Sequence, residues 1–359
     1  MPTRRSTLVS LASGVAATTV PAILRGAGAK KTPLKYVQIG TGHAHANKID
    51  AYRKSPDWEV LGVAEPDPER VASAKASKTY GDLPFLTVEQ ALNLPGLAAV
   101  GIETEVRDLL KYAEMAIDAG FHIHLDKPAG ESLPPLRRIH EKAGAKGLTV
   151  QMGYMYRFNP AVVTMRDLLK KGWLGEPFEV ETVMSKVVDA KGRRGLEEYP
   201  GGIMFELGCH IIDLTVGVLG MPDKVTAFPR QTIGGDSLMD NMLAVFEYPR
   251  ATATVRSAAV EVEGGARRHF TVCGTEGTCH IQPLDRPAIR LALSRARDGG
   301  LKKGYQDIPF EPPYSRYVGD CADLAAVIRG EKASEFDSAH DLAVQECVLR
   351  ASGLEKALG

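Results

Sequence analysis

The strand-like segment Lys35-Tyr36-Val37-Gln38-Ile39 runs without a break into Gly40-Thr41-Gly42, and that junction restricts the chain to a few folds. A β-prone apolar run ending on a glycine turn, followed by helix-compatible sequence to about Lys54, reads as the first half of a β-α-β unit. A second strand from Trp58 to Ala64 completes the unit and ends at Glu65. Glycine at 40 permits a sharp turn, and glycine at 42 lets the backbone approach a pyrophosphate at the positive end of a helix. Glu65 stands where a carboxylate accepts hydrogen bonds from the adenosine ribose hydroxyls. The third position of the G-x-G-x-x-G pattern is His45, so the fingerprint is incomplete and the order strand, turn, helix, strand, acid carries the reading. Like-charge repulsion between Glu65 and a 2′-phosphate favours NAD over NADP, while Arg70 nearby keeps NADP open.

Further α/β units follow: an apolar run over Ala98–Ile102, a helical segment from Val106 to Ala119, and a strand over His122–Leu125. Asp126-Lys127-Pro128 comes directly after that strand, and strand ends of this kind face the ligand crevice of open α/β sheets. A lysine there can be desolvated and tuned for proton traffic, or can hydrogen-bond a substrate hydroxyl. Farther on, Glu206, His210 and Asp213 are spaced by four and three in an otherwise apolar segment, which aligns them on one helical face. So apolar a helix is expected to be buried, with its polar stripe turned to an internal cleft where carboxylates orient the histidine and raise its basicity. Two H-x-H pairs, His43/His45 and His122/His124, are read as interior or cofactor-contacting residues, and no metal is expected.

The second half is richer in strands, over Phe178–Val187, Met242–Tyr248, Thr252–Val262 and His269–Cys273, with Pro249-Arg250 turning between two of them. Helical sequence returns from about Tyr317 to Arg329 and from Ser338 to Leu358. A chain of 359 residues is long enough for two domains. Lysine plus arginine number 44 and aspartate plus glutamate 44, so bulk charge calls for neither nucleic acid nor an anionic membrane. Five scattered cysteines without a C-x-x-C pair suggest neither a disulfide framework nor a cysteine zinc site.

Before Asp50 there is no carboxylate, and Arg4-Arg5 precede a weakly apolar run from Leu8 to Leu24 that ends in Ala27-Gly28-Ala29. This pattern reads as a signal peptide with a small-residue cleavage site, its paired arginines resembling the twin-arginine export signal. The run contains Pro21 and falls short of the ~20 strongly apolar residues of a spanning helix, so no permanent membrane anchor is expected. The expectation is a periplasmic or secreted protein that leaves the cytoplasm already folded.

Taken together, these segments resemble the Gfo/Idh/MocA oxidoreductases. The resemblance rests on Gly40-Thr41-Gly42, on Asp126-Lys127-Pro128 in place of the family's Glu-Lys-Pro, on Tyr156-Arg157-Phe158-Asn159-Pro160, and on Glu206 to Asp213 against the pattern Asp-x-Gly-x-His-x-x-Asp. It implies an α/β protein: a signal over residues 1–29, an N-terminal Rossmann dinucleotide-binding domain over 30–155, and a C-terminal α/β domain over 156–359. The open, mostly antiparallel sheet of that second domain often supports oligomer contacts, so a dimer or tetramer is expected. The resemblance makes Lys127 and His210 the catalytic pair and puts Glu206, Asp213 and Arg157 at the substrate. Gly40, Thr41, Gly42, His43, Glu65, Asp126 and Lys127 would hold the cofactor. Three departures stand out: Glu206 for aspartate, His45 for the third glycine, and Thr104-Glu105-Val106 where Thr-Pro-Asn is common.

The function this implies is an exported NAD(P)-dependent oxidoreductase moving a hydride between nicotinamide and a sugar, polyol or related polyhydroxyl compound, with the cofactor tightly held. A redox-assisted glycosidase using the same lysine and histidine is a second reading. A non-catalytic nucleotide or sugar sensor is a third.

Overall fold

The computed structural model describes residues 31–310 and 314–359; the expected export signal lies outside the described residues. Six strands form the first sheet: β1 (Leu34–Ile39), β2 (Trp58–Ala64), β3 (Phe85–Leu86), β4 (Leu97–Ile102), β5 (His122–Leu125) and β6 (Val150–Met152). Their order is β3-β2-β1-β4-β5-β6, and every pairing is parallel. Such strands are buried on both faces and therefore read as continuous apolar runs. Tyr36, Val37 and Ile39 of β1 are all buried. The helix Val106–Asp118 sets Val106, Leu109, Ala113, Ala116 and Ile117 into the core at helical spacing. The chain winds outward from β1 to β3 and then returns to β4 on the other side of β1. A crevice consequently opens at the carboxyl ends of β1 and β4, the place where doubly wound sheets bind ligands.

The second sheet has eight strands: β7 (Pro177–Ser185), β8 (Lys224–Arg230), β9 (Asn241–Glu247), β10 (Thr252–Ala258), β11 (His269–Gly274), β12 (Gly277–Ile281), β13 (Ile289–Leu293) and β14 (Gly304–Ile308). Their order is β14-β13-β12-β11-β7-β10-β9-β8; only β7 and β10 pair in parallel. Met242, Ala244 and Phe246 of β9 point inward and alternate with half-buried neighbours, the period of a sheet covered on one face. Helices Cys209–Leu219 and Ser338–Ala351 lie on the covered side. Phe228 and Tyr305 are exposed.

One helix of the second half packs back onto the first sheet. Cys321, Leu324 and Ala325 of the helix Val318–Ile328 pack back onto the Rossmann sheet against Tyr36, Tyr52 and Trp58. The indole of Trp58 donates to the Cys321 carbonyl at 2.9 Å, and Arg329 pairs with Asp57 at 2.6 Å. At the lead-in to the second domain, the Asn159 side chain caps the helix Pro160–Lys170 by accepting from the Ala161 amide at 2.9 Å, with Pro160 at the first helical position.

Candidate active site

The glycine turn is built as its sequence requires. Gly40 has a φ of 92°, and a Cβ there would lie 2.5 Å from the Thr104 amide nitrogen of the neighbouring strand end. Thr41 donates its amide and hydroxyl to one oxygen of Glu65 at 2.7 and 2.6 Å, while the Asp67 amide holds the other oxygen at 2.8 Å. The acid at the end of β2 is thus fixed against the turn and still borders open space. Gly42 lines two cavities, of about 370 and 260 Å³. One extends toward Glu65, Asp67 and Lys111. The other extends between the domains toward Lys186, Tyr199 and Glu206. A Cβ on Gly42 would come within 3.2 Å of the Arg70 and Glu105 side chains, so the crevice is open at this point because the side chain is missing. The residue read as a defect of the fingerprint, His45, ends the turn ahead of a 3₁₀ helix over Ala46–Lys48, and its ring lies toward Asp126.

Asp126, after β5, anchors a buried charge cluster. One of its oxygens accepts from the Lys127 amide at 2.6 Å and lies 3.3 Å from His45 Nδ1. The other accepts from the Lys48 ammonium at 2.8 Å and lies 2.9 Å from His43 Nδ1. Lys48 also reaches Glu103 at 3.0 Å and His124 Nε2 at 2.8 Å. Burial alone would raise the Asp126 carboxyl, but His43, Lys48 and His45 outweigh it and hold the group well below the usual carboxylate range. Burial, reinforced by the Asp126 charge, keeps Glu103 well above that range. Ligand atoms of His43, His45 and Asp126 lie within 4.8 Å of one another. Lys48 already supplies a cation to that carboxylate, and the cluster is read as an ion-pair network. Lys48 and Glu103 carried no sequence signal; Lys48 is a lysine in a short helical stretch, the usual mark of a solvated face.

Lys127 crosses between the domains, its ammonium donating to the Glu206 carbonyl at 2.7 Å. Burial would lower its pKa, yet Cys209, Glu206 and Asp126 outweigh burial and raise it above the ordinary lysine value. Lys127 therefore stays an ammonium, which favours the hydrogen-bonding alternative over tuning for proton traffic.

The polar stripe of Glu206, His210 and Asp213 is divided by the backbone. Met204–Gly208 form a π turn ahead of the helix Cys209–Leu219, and its wider winding breaks the expected single face. Glu206 borders the inter-domain cavity and accepts from Lys186 at 2.9 Å. His210 sits among the rings of His45, Tyr154 and Tyr156 at 5.5, 6.1 and 5.2 Å, and its Nδ1 is buried without a partner. Burial first, then Lys127 and His45, push the His210 pKa well below the ordinary value, opposite to the expected gain in basicity. No carboxylate orients it, because Asp213 is engaged elsewhere. Asp213 accepts from Arg157 Nε at 3.0 Å and Nη2 at 2.6 Å, and lies 3.2 Å from His340 Nε2. Arg157 also donates to Asp341 at 2.7 Å. Arg157 and Asp213 are brought to each other; like Lys127 and His210 they do not line the two crevice cavities, whereas Glu206 does.

A Rossmann sheet with a glycine turn, an acid fixed at the end of β2 and a lysine that reaches the second domain are the marks of a nicotinamide-dependent oxidoreductase. Residues 34–154 match the oxidoreductase family model with an NAD-binding Rossmann fold, and residues 162–280 match the GFO/IDH/MocA C-terminal domain. The chain belongs to the Gfo/Idh/MocA family of NAD(P)-dependent oxidoreductases. It is 26% identical to the uncharacterized oxidoreductase YdgJ of Escherichia coli over 62% of this chain and 65% of that one, just under two thirds of the relative's length. It is 25% identical to D-xylose 1-dehydrogenase (NADP(+)) 2 of Haloferax volcanii over 73% of this chain and 80% of that one. Among solved structures, UDP-N-acetylglucosamine 3-dehydrogenase GnnA of Acidithiobacillus ferrooxidans superposes with a TM-score of 0.73 at 18% identity, covering 91% of this chain and 99% of that one.

Proposed function

We propose that this oxidoreductase is exported, prefers NAD, holds it tightly, and oxidises a hydroxyl of a sugar or polyol. The observation that carries the reading is the meeting of Lys127 with the π turn that precedes His210, at the inner end of the crevice lined by Gly42. The dehydrogenases of xylose and of a nucleotide sugar among the related proteins support the substrate class. The charge pattern of the first thirty residues supports export.

Gly40 and Gly42 would admit the dinucleotide backbone, Glu65 would take the adenosine ribose, and Arg70 and Arg107 border the space for its phosphates. Bound there, the nicotinamide supplies the hydride acceptor. Lys127, charged and fixed by Glu206, donates a hydrogen bond to the substrate oxygen and stabilises negative charge that develops on it. His210 is neutral and can hydrogen-bond the substrate oxygen. Glu206, held by Lys186 at the cavity wall, can accept from a neighbouring hydroxyl. A chain of ion pairs, Arg70–Glu105–Arg107–Glu198, joins the two domains beside the cavities and supports tight retention of the cofactor. The partly apolar open face of the second sheet, with Phe228 and Tyr305, would join two or more copies.

The test is to purify the protein from the exported fraction, identify the nucleotide released on denaturation, and screen xylose, polyols and glycosides for nicotinamide reduction. NAD in the protein and net reduction by a polyhydroxyl compound are expected. Aglycone release without net reduction would replace the dehydrogenase reading with a redox-assisted glycosidase. Binding without turnover would replace it with a sensor.

A further inference from the structure

Three imidazoles lie close together behind the cavity wall that Gly42, Ala44 and Glu206 form, and their surroundings differ. His43 has both nitrogens engaged, Nδ1 2.9 Å from Asp126 and Nε2 2.9 Å from the Lys127 carbonyl. His210 is almost fully buried and has no carboxylate beside it. His45 differs from both: its side chain is 13% exposed, against 2% for that of His43, and only its Nδ1 is engaged, 3.3 Å from Asp126. Because Asp126 is ionised, the tautomer that fits carries a proton on Nδ1 and leaves Nε2 free as an acceptor. The ring centroid lies 5.5 Å from that of His210 and 5.9 Å from that of Tyr317. The carboxylate–imidazole pair a general base requires is therefore present, but on the Rossmann side, at the position that interrupts the glycine fingerprint.

We propose that His45, oriented by Asp126, is a catalytic residue that takes the proton of the substrate hydroxyl, while Lys127 and His210 hold the substrate oxygen. The inference rests on the dehydrogenase reading. In the step, the carbinol C–H bond breaks with its electron pair passing to oxidised nicotinamide, the O–H bond breaks, and its proton goes to Nε2 of His45. A C=O bond forms, the cofactor is reduced, and the imidazolium so created is paired with the Asp126 carboxylate until it loses its proton to water. The groups facing His45 are His43 in its own turn, His124, Asp126 and Lys127 on and after β5, Glu206 and His210 from the second domain, and Tyr317 ahead of the helix Val318–Ile328. Burial and the Lys127 ammonium lower the ring to about 3 against the pull of Asp126, so His45 is neutral before the step and holds the proton only in passing, handing it on at once to water.

The test uses the whole exported protein with the substrate found among xylose, polyols and glycosides, and compares wild type with His45→Gln, His45→Ala and Lys127→Met. Loss of a general base costs about 10²–10⁴-fold in kcat, so His45→Gln should fall by at least the lower figure while its affinity for NAD stays near wild type. Imidazole in the buffer should restore part of the activity of His45→Ala and none of that of Lys127→Met, a rescue that a packing role would not show. Ring ¹⁵N NMR of the protein without substrate should show Nδ1 of His45 protonated, and Asp126→Asn should abolish that preference. Nearly wild-type kcat in His45→Gln, or a parallel loss of NAD affinity with no rescue by imidazole, would overturn the proposal. Wild-type protein that reduces neither NAD nor NADP with any of these compounds would remove the reading of function, whereas an active wild type with an active His45→Gln would remove this inference alone.

Discussion

The Lys127 ammonium donates to the Glu206 carbonyl at 2.7 Å, so one side chain ties the end of β5 in the Rossmann domain to the π turn of the second domain. Cys209 adds a weak thiol contact to the same carbonyl, at 3.3 Å. Lys127→Met removes both the ammonium and its tie between the two domains. Transition-state donors of this kind contribute about 10²–10³-fold in kcat. Steady-state kinetics should show a loss of that order. Because the Lys127 pKa is raised, no limb of the wild-type pH profile between about 6 and 9 should disappear in the variant.

Gly40 and Gly42 separate folding from binding. Gly40→Ala places a methyl 2.5 Å from a backbone nitrogen at a φ of 92°, which no side-chain movement relieves. Strain of this kind costs on the order of 1–3 kcal/mol, and thermal unfolding should report it. Gly42→Ala meets only the flexible side chains of Arg70 and Glu105. It should leave the melting temperature nearly unchanged and weaken dinucleotide binding in calorimetry.

A cofactor preference set by Glu65 can be read from one variant, because its carboxylate is held by Thr41 and Asp67 beside the cavity that Arg70 and Lys111 also line. Glu65→Ser removes the charge facing a 2′-phosphate and leaves the two cations in place. The ratio of kcat/KM for NADP to that for NAD should rise at least tenfold, about 1.4 kcal/mol. An unchanged ratio would mean that the adenosine end lies elsewhere.

The Rossmann half was legible because its signals are local. The strand over Trp58–Ala64 and that over His122–Leu125 match the structure at both ends, since buried parallel strands announce themselves as apolar runs. Strands β8 and β12 to β14 were not anticipated: β8 and β14 are edge strands with no fully buried residue, and β12 and β13, though interior, are only five residues long. The residues of the stripe in the second domain were found from spacing, but their grouping depended on an α-helical period that the π turn breaks. Arg157 was assigned to substrate by resemblance, and its partner Asp341 lies 184 residues away, beyond the reach of any local pattern.

The Arg157 cluster gives a stability prediction. One guanidinium faces two buried carboxylates, with the ring of Phe336 4.1 Å from it. Removing it in Arg157→Leu leaves Asp213 and Asp341 buried without their cation, a loss of about 3–5 kcal/mol. Arg157→Lys keeps the charge but not the two-pronged contact and should fall between the two. Denaturant titrations of the three proteins would show the order.

Acid sensitivity follows from two histidines. Burial is the main cause that lowers His45 and His124 to about 3, helped by Lys127 in one case and Lys48 in the other. An unfolded histidine titrates near 6.5, so between pH 6.5 and about 3 the unfolded chain binds protons that the folded chain refuses. The stability these residues confer is complete above 6.5 and is lost progressively as the pH falls. Asp320 acts in the opposite sense: burial raises it to about 6, so its contribution is present below an unfolded value near 3.8 and is lost as the pH rises through 6. His122, His140, His210 and His269 are lowered in the same sense, Glu103 and Asp341 are raised in the sense of Asp320, and with six lowered histidines against three raised carboxyls the melting temperature should drop between pH 7 and 4.5. His124→Gln removes one of these titrations while keeping a polar side chain between Lys48 and Gln151. Its melting temperature should depend less steeply on pH over the same range, and an undiminished slope would show that His124 is protonated in the folded protein.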